Sequence, residues 1–326
     1  MPGTIRCVIV VVCRCHRRTP FHFSCSAGRQ TPHVGRRVSE RLLSLSIHEN
    51  NERSRFPSPT QPNVMQLDSI LNVLQQLAPL EFAESWDNVG LLAGNRNREI
   101  ARAMTCLTLT ATTLEEAIRE KVELVICHHP IPFKPLSKIT DDTTTGQLLL
   151  QAIEAGIAIY SPHTAWDNAK TGINQQLAII LGLEMVKPLQ PFSLSVSSDE
   201  SLGMGRYGRL STPLTVDSVM ERIRVAIPTI RSRHTHGTNH GIAKIGIVCG
   251  SGGSMLGLVA RRGCDALLTG EANYHQCLEA ESLGIALLMI GHHASESFAM
   301  KDLASQLQAL LPNLQVTTSQ LETSLF

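Results

Sequence analysis

The stretch Val125-Ile126-Cys127-His128-His129-Pro130 decides how this chain is read. The apolar run from Val122 to Cys127, interrupted only by Glu123, has the length and β-branched character of a largely buried strand. It stops at two histidines and a proline, which has no N–H to offer a ladder. A strand thus delivers two imidazoles to its carboxyl end. Gly156 to Pro162 is a second such run, emptying into His163-Thr164-Ala165-Trp166-Asp167, and Ile285 to Gly291 is a third, emptying into His292-His293-Ala294-Ser295-Glu296. In an open α/β sheet, ligands gather outside the carboxyl ends of the strands, so the three tips can meet in one crevice. Any one histidine reads equally well as a hydrogen-bonded core residue; the threefold repetition points to metal.

Outward from these strands, apolar and helical runs alternate. Met104 to Leu109 reads as a strand, Thr113 to Lys121 as a helix, and Thr145 to Ala155 as a helix feeding the second tip, a βαβ pattern that implies mainly parallel strands. Leu67, Ile70, Leu71, Leu74 and Leu77 recur at helical spacing up to Pro79. In the polar turn Ser85-Trp86-Asp87-Asn88-Val89-Gly90-Leu91, Asp87 either serves a metal or a ligand histidine, or makes an Asx turn beside a buried Trp86. After Thr171 a helix runs to Leu181, and from 188 the character shifts through a Ser-rich stretch, a helix at Val216–Val225 and the polar His234–His240 loop. Lys244 to Cys249 and Asp265 to Thr269 read as strands. The glycine turn Gly250-Ser251-Gly252-Gly253 either cradles an anion or is simply tight. Glu271 and His275, four apart after the second of these strands, are expected near the same crevice.

These observations predict an α/β fold of two domains with mainly parallel mixed sheets and a metal site at the strand carboxyl ends. Residues 65–187 with 286–326 are expected to form the metal-binding domain, and 188–285 the second. The first 64 residues carry ten arginines, no lysine and three acids, a formal +7 that leaves −6 for the remainder of a chain of total charge +1. They close on Pro57-Ser58-Pro59-Thr60-Gln61-Pro62, which reads as a linker. The leader resembles an organelle transit peptide or a short signal core, but the competing expectation is a cytoplasmic protein whose translation starts at Met65. Its apolar run, Cys7 to Cys13, is too short to span a bilayer. The mildly acidic body disfavours nucleic-acid binding. Nine cysteines without a C-x-x-C pair fit a reducing compartment.

His292 and Glu296 are four apart, as are His163 and Asp167, so each pair can face one ion from one side of a helix. Imidazole mixed with carboxylate suits Zn, Fe, Mn, Co or Ni better than Ca and does not choose among them. The inventory exceeds the three ligands of a single catalytic zinc and suits two ions about 3.5–4 Å apart.

Ser85-Trp86-Asp87-Asn88-Val89-Gly90, His128-His129-Pro130, His163-Thr164-Ala165-Trp166-Asp167, Thr269-Gly270-Glu271 and Gly291-His292-His293-Ala294-Ser295-Glu296 occur in the order seen in the Nif-three-like family, whose members are often labelled GTP cyclohydrolase I type 2 homologs. From Met65 onward nearly all of the chain resembles that family, with Ser319–Phe326 departing from its pattern. The resemblance implies a dinuclear site, two divalent ions per subunit, at the matching positions His128, His129, Asp167, His292 and Glu296. It also implies two interlinked α/β domains assembled as a toroidal homohexamer. Asp87, His163, Glu271, His275 and His293 lie in or near the motifs and are expected to support the ligands or move protons. Two functions follow as expectations. One is a metal-dependent hydrolase acting on a nucleotide or related phosphorylated substrate through a water acidified by two cations. The other is a non-catalytic, metal-stabilised regulatory or scaffold oligomer.

Overall fold

The computed structural model describes residues 64–193, 199, 201–235 and 241–324; the leader 1–63 and the 236–240 part of the polar loop lie outside the described residues. Two sheets carry the fold. The first has the spatial order Gln315–Thr318, Arg102–Cys106, Leu124–Cys127, Ala158–Ser161, Gly90–Ala93; its first four strands are parallel and the last is antiparallel. The second has the order Arg233–His234, Ala286–Met289, Ala266–Thr269, Ile242–Val248, Arg206–Leu214, Glu184–Lys187, with three parallel strands flanked on both sides by antiparallel ones. The mixed α/β character matches the expectation, although parallel pairing dominates in the first sheet alone.

The inner strands Leu124–Cys127, Ala158–Ser161, Ala266–Thr269 and Ala286–Met289 are almost wholly apolar because both faces are covered. Ala103, Leu124, Ile126 and Tyr160 of the first sheet share one continuous core with Ile245, Ile247, Leu268 and Leu288 of the second, filled in by helices Leu67–Leu77, Ile173–Ile180 and His292–Leu310. The alternate side chains Met104, Val125, Cys127 and Ile159 pack beneath helices Ala111–Arg119 and Thr144–Glu154. Leu267 and Leu287 pack beneath Leu256–Arg261 and Tyr274–Ser282. One continuous core joins the two sheets. Glu184–Lys187 and Ala286–Met289 both pair in the six-stranded sheet. Ala286–Met289, apolar and buried, carries no mark of the sheet it will join, and Glu184–Lys187 is a largely exposed edge strand.

Helix starts follow local chemistry. Thr110 caps Ala111–Arg119 in a reciprocal capping box with Thr113, and Asn273 does the same for Tyr274–Ser282 with Gln276. Gly291, at φ 92°, turns the chain from Ala286–Met289 into His292–Leu310. Among the described residues no helix is long and apolar enough to cross a membrane.

Candidate metal centre

The three strand ends do converge. His128 and His129 continue the ladder beyond Leu124–Cys127, their backbone N–H groups donating to Cys106 and Leu107 carbonyls at 3.0 and 2.8 Å. The hydroxyl of Ser161, at the end of the neighbouring strand, donates to the His128 carbonyl at 2.6 Å. This fixes both rings at the sheet's carboxyl edge. His163 opens the short helix His163–Asn168 with φ 30°, and His292 and Glu296 occupy the first two turns of His292–Leu310.

Two groups of ligand atoms lie mutually within 4.8 Å: His128, His129 and His163, and His129, His292 and Glu296. Glu296 faces both groups. Its Oε2 lies 3.1 Å from His129 Nε2 and 3.2 Å from His292 Nε2, and its Oε1 lies 4.0 Å from His128 Nε2. Asp167 Oδ1 lies 3.6 Å from His128 Nε2, although Asp167 belongs to neither group. Both ring nitrogens of buried His128, and Asp167 Oδ1, have no hydrogen-bond partner among the described residues. Buried polar atoms without partners are costly, and a cation shared by these donors would satisfy them. The donor set therefore fits a divalent transition metal.

Around the ligands sit groups that orient them. Asp87 Oδ1 is 2.7 Å from His163 Nδ1, and its other oxygen accepts from the backbone N–H and hydroxyl of Thr164. An ionised carboxylate only accepts, so Nδ1 carries the proton and His163 Nε2 is left to bind a metal. Asp87 is thus the orienting carboxylate of its two readings, and Trp86 is 60% exposed rather than buried. Thr108 Oγ1 lies 2.8 Å from His129 Nδ1, and Glu271 Oε1 lies 3.0 Å from His292 Nδ1. His293 faces Ser297 at 3.2 Å, with its other ring nitrogen buried and unpartnered. His275 is exposed beside Tyr274, outside both ligand groups.

Electrostatics separate the two acids of the centre. Burial, reinforced by the nearby Glu296 charge, pushes Asp167 up to about 7. Glu296 is driven the other way: hydrogen bonds from His129 and His292 outweigh its burial and hold it well below the usual carboxylate range. His292, hydrogen-bonded to Glu296 against the opposing effect of burial, is raised to about 9, whereas burial holds His128 neutral, well below its usual value.

Two supporting residues, Arg206 and Asn174, escaped the sequence reading. Arg206, 2% exposed, donates to Gln175 Oε1 and to the carbonyls of Gly203, Gly205, Asn168 and Ala169, clamping the turn just beyond Asp167 to the second sheet. Asn174 donates to the Asp167 carbonyl at 3.1 Å and accepts from Cys249 N–H at 2.8 Å. Gly250 sits at φ 60° where a Cβ would lie 2.4 Å from Glu296 Oε1, so the glycine turn accommodates a close carboxylate. A cavity of about 940 Å³ opens beside the ligands, lined by His129, Glu271, His292 and His293, by Arg231 and Arg233, and by Glu322 near the chain's end.

Fold and site together define an α/β protein with candidate His/Glu metal-binding groups where its two sheets meet. The family model described as Duf34/NIF3 (NGG1p interacting factor 3) matches residues 65–324, and the chain belongs to that family. It is 34% identical over 234 residues to the GTP cyclohydrolase 1 type 2 homolog of Clostridium perfringens, covering 71% of this chain and 87% of the relative. It is 34% identical over 236 residues to NIF3-like protein 1 of Drosophila melanogaster, covering 71% and 78%. Among solved structures, the Bacillus cereus protein related to NIF3 superposes with a TM-score of 0.73 at 22% identity, covering 80% of this chain and 98% of that one, a likeness of fold.

Proposed function

We propose that this protein is a dinuclear metal-dependent hydrolase of nucleotides or related phosphorylated substrates. The observation that carries the reading is Glu296, which turns one oxygen to His129 and His292 and the other toward His128, as a carboxylate serving two ions would. Two divalent ions held by His128, His129, Asp167, His292 and Glu296, with His163 beside them, would supply Lewis acidity and lower the pKa of a bound water. The chain's own part is to hold the imidazoles. Asp87 and Thr108 set the rings of His163 and His129, and Glu271 sets that of His292. Glu271 and His293 line the cavity, and in this reading they would be the groups to take or return a proton. The relatives' name, GTP cyclohydrolase 1 type 2 homolog, makes GTP the first substrate to try.

Metal content per chain tests the ligand set. Wild type is expected to hold two ions and His292→Ala one or none; no stoichiometric metal in either protein would sink it. A second reading draws on ligands coming from both sheets, so that ions would fasten one sheet to the other in a non-catalytic, oligomeric protein. Asp167→Asn separates the two readings: lost GTP turnover with unchanged melting temperature and assembly supports the hydrolase, and the reverse supports the fastener. We propose the homohexameric ring as the assembly, to be checked by light scattering.

A further inference from the structure

The cavity beside the centre is lined by two kinds of charged group. Its carboxylates are engaged: Glu271 accepts from Ser251 at 2.6 Å and lies against His292, and Glu322 accepts from the backbone N–H groups of Leu107 and Thr108, both at 2.7 Å. Its two arginines, Arg231 and Arg233, are exposed, and their side chains have no ion-pair or hydrogen-bond partner among the described residues. No lysine lines the cavity. Strand register brings Arg233 to the chemistry. It pairs with Met289, three residues before His292, at the carboxyl end of Ala286–Met289, and Met289, Ile290 and Gly291 line the same cavity. In a body of net negative charge, two unneutralised guanidiniums beside a metal centre are a placed positive charge.

We propose that Arg231 and Arg233 bind the phosphate of a nucleotide-sized organic phosphate whose other end reaches His129 and His292. This deepens, and rests on, the reading of the cavity as the substrate site. The guanidinium fork matches phosphate oxygens two at a time, which a point charge does not do. The volume, about 940 Å³, falls in the range of roughly 300–1,000 Å³ typical of small-molecule sites and exceeds the needs of phosphate alone.

The test is calorimetric titration of the zinc-reconstituted full chain and of R231Q/R233Q with GMP, GTP, guanosine and inorganic phosphate, after confirming equal zinc content. Wild type is expected to bind GMP and GTP, the double variant at least ~10-fold more weakly, with guanosine weak and equal in both. The single variants R231Q and R233Q, on exposed side chains, should each show part of the loss. Equal nucleotide affinity in wild type and double variant overturns the proposal, as does guanosine matching GMP in wild type, or no nucleotide binding at all. Inorganic phosphate bound equally by both proteins would put the anion on the metal and also overturn it. Binding needs no turnover: arginine-dependent binding without product sinks the hydrolase reading alone, and GTP turnover with equal KM in both proteins sinks the arginine site alone.

Discussion

Asp87 fixes one proton. With Nδ1 of His163 and two groups of Thr164 pointing at its carboxylate, it selects the tautomer that leaves Nε2 open to an ion. Asp87→Asn replaces one acceptor oxygen with a donor, and metal affinity is expected to fall about 10–100-fold with the chain still folded; competition with a chromophoric chelator measures it. Gly250→Ala acts on the same centre by crowding. A methyl group 2.4 Å from Glu296 Oε1, at φ 60°, is expected to cost about 1–3 kcal/mol in urea unfolding and to lower metal content. The histidines that converge from the strand tips were legible because an apolar run that stops at histidine is a local signal. Arg206 and Asn174 were not: the groups they hold at Asn168 and Cys249 are brought near by the fold, and a lone arginine or asparagine in sequence looks like surface.

At the scale of elements, the helix His163–Asn168 is too short to hold its own position, having six residues and no side-chain cap. Arg206 and Asn174 hold it from outside. Arg206→Met leaves several buried carbonyls without a donor, and a loss of about 3 kcal/mol or more in stability is expected, with weaker metal binding through displacement of Asp167; urea unfolding with and without zinc separates the two effects. Besides Gly90–Ala93, Glu184–Lys187 and Arg206–Leu214, the sequence concealed two edge strands, Gln315–Thr318, polar and half-exposed, and the two-residue Arg233–His234, too short to show a period. Arg233 lines the centre's cavity and Gln315–Thr318 edges its sheet, so these two missing pieces of the fold bear on the site.

For the whole molecule, the charge state of the metal-free centre couples folding to pH. His292, raised to about 9, contributes stability that is fully present below its ordinary value near 6.5 and lost as pH rises toward 9. Asp167, raised to about 7, also binds its proton more tightly when folded, so its contribution likewise falls as pH rises from about 4 through 7. The metal-free protein is therefore expected to melt a few degrees lower at pH 9 than at pH 6, and added zinc to reverse the trend, as scanning calorimetry would show; equal melting at both pH values would refute the coupling. The strand order carries a consequence for biosynthesis. Gln315–Thr318 pairs with Arg102–Cys106, so a chain still emerging from the ribosome has made His128, His129 and His163 long before it has Glu296 or the strand that closes their sheet. A nascent chain meets metal with His128, His129, His163 and Asp167, and the carboxylate that faces both ligand groups arrives more than a hundred residues later with His292, so full loading is expected only after Glu296 has been made.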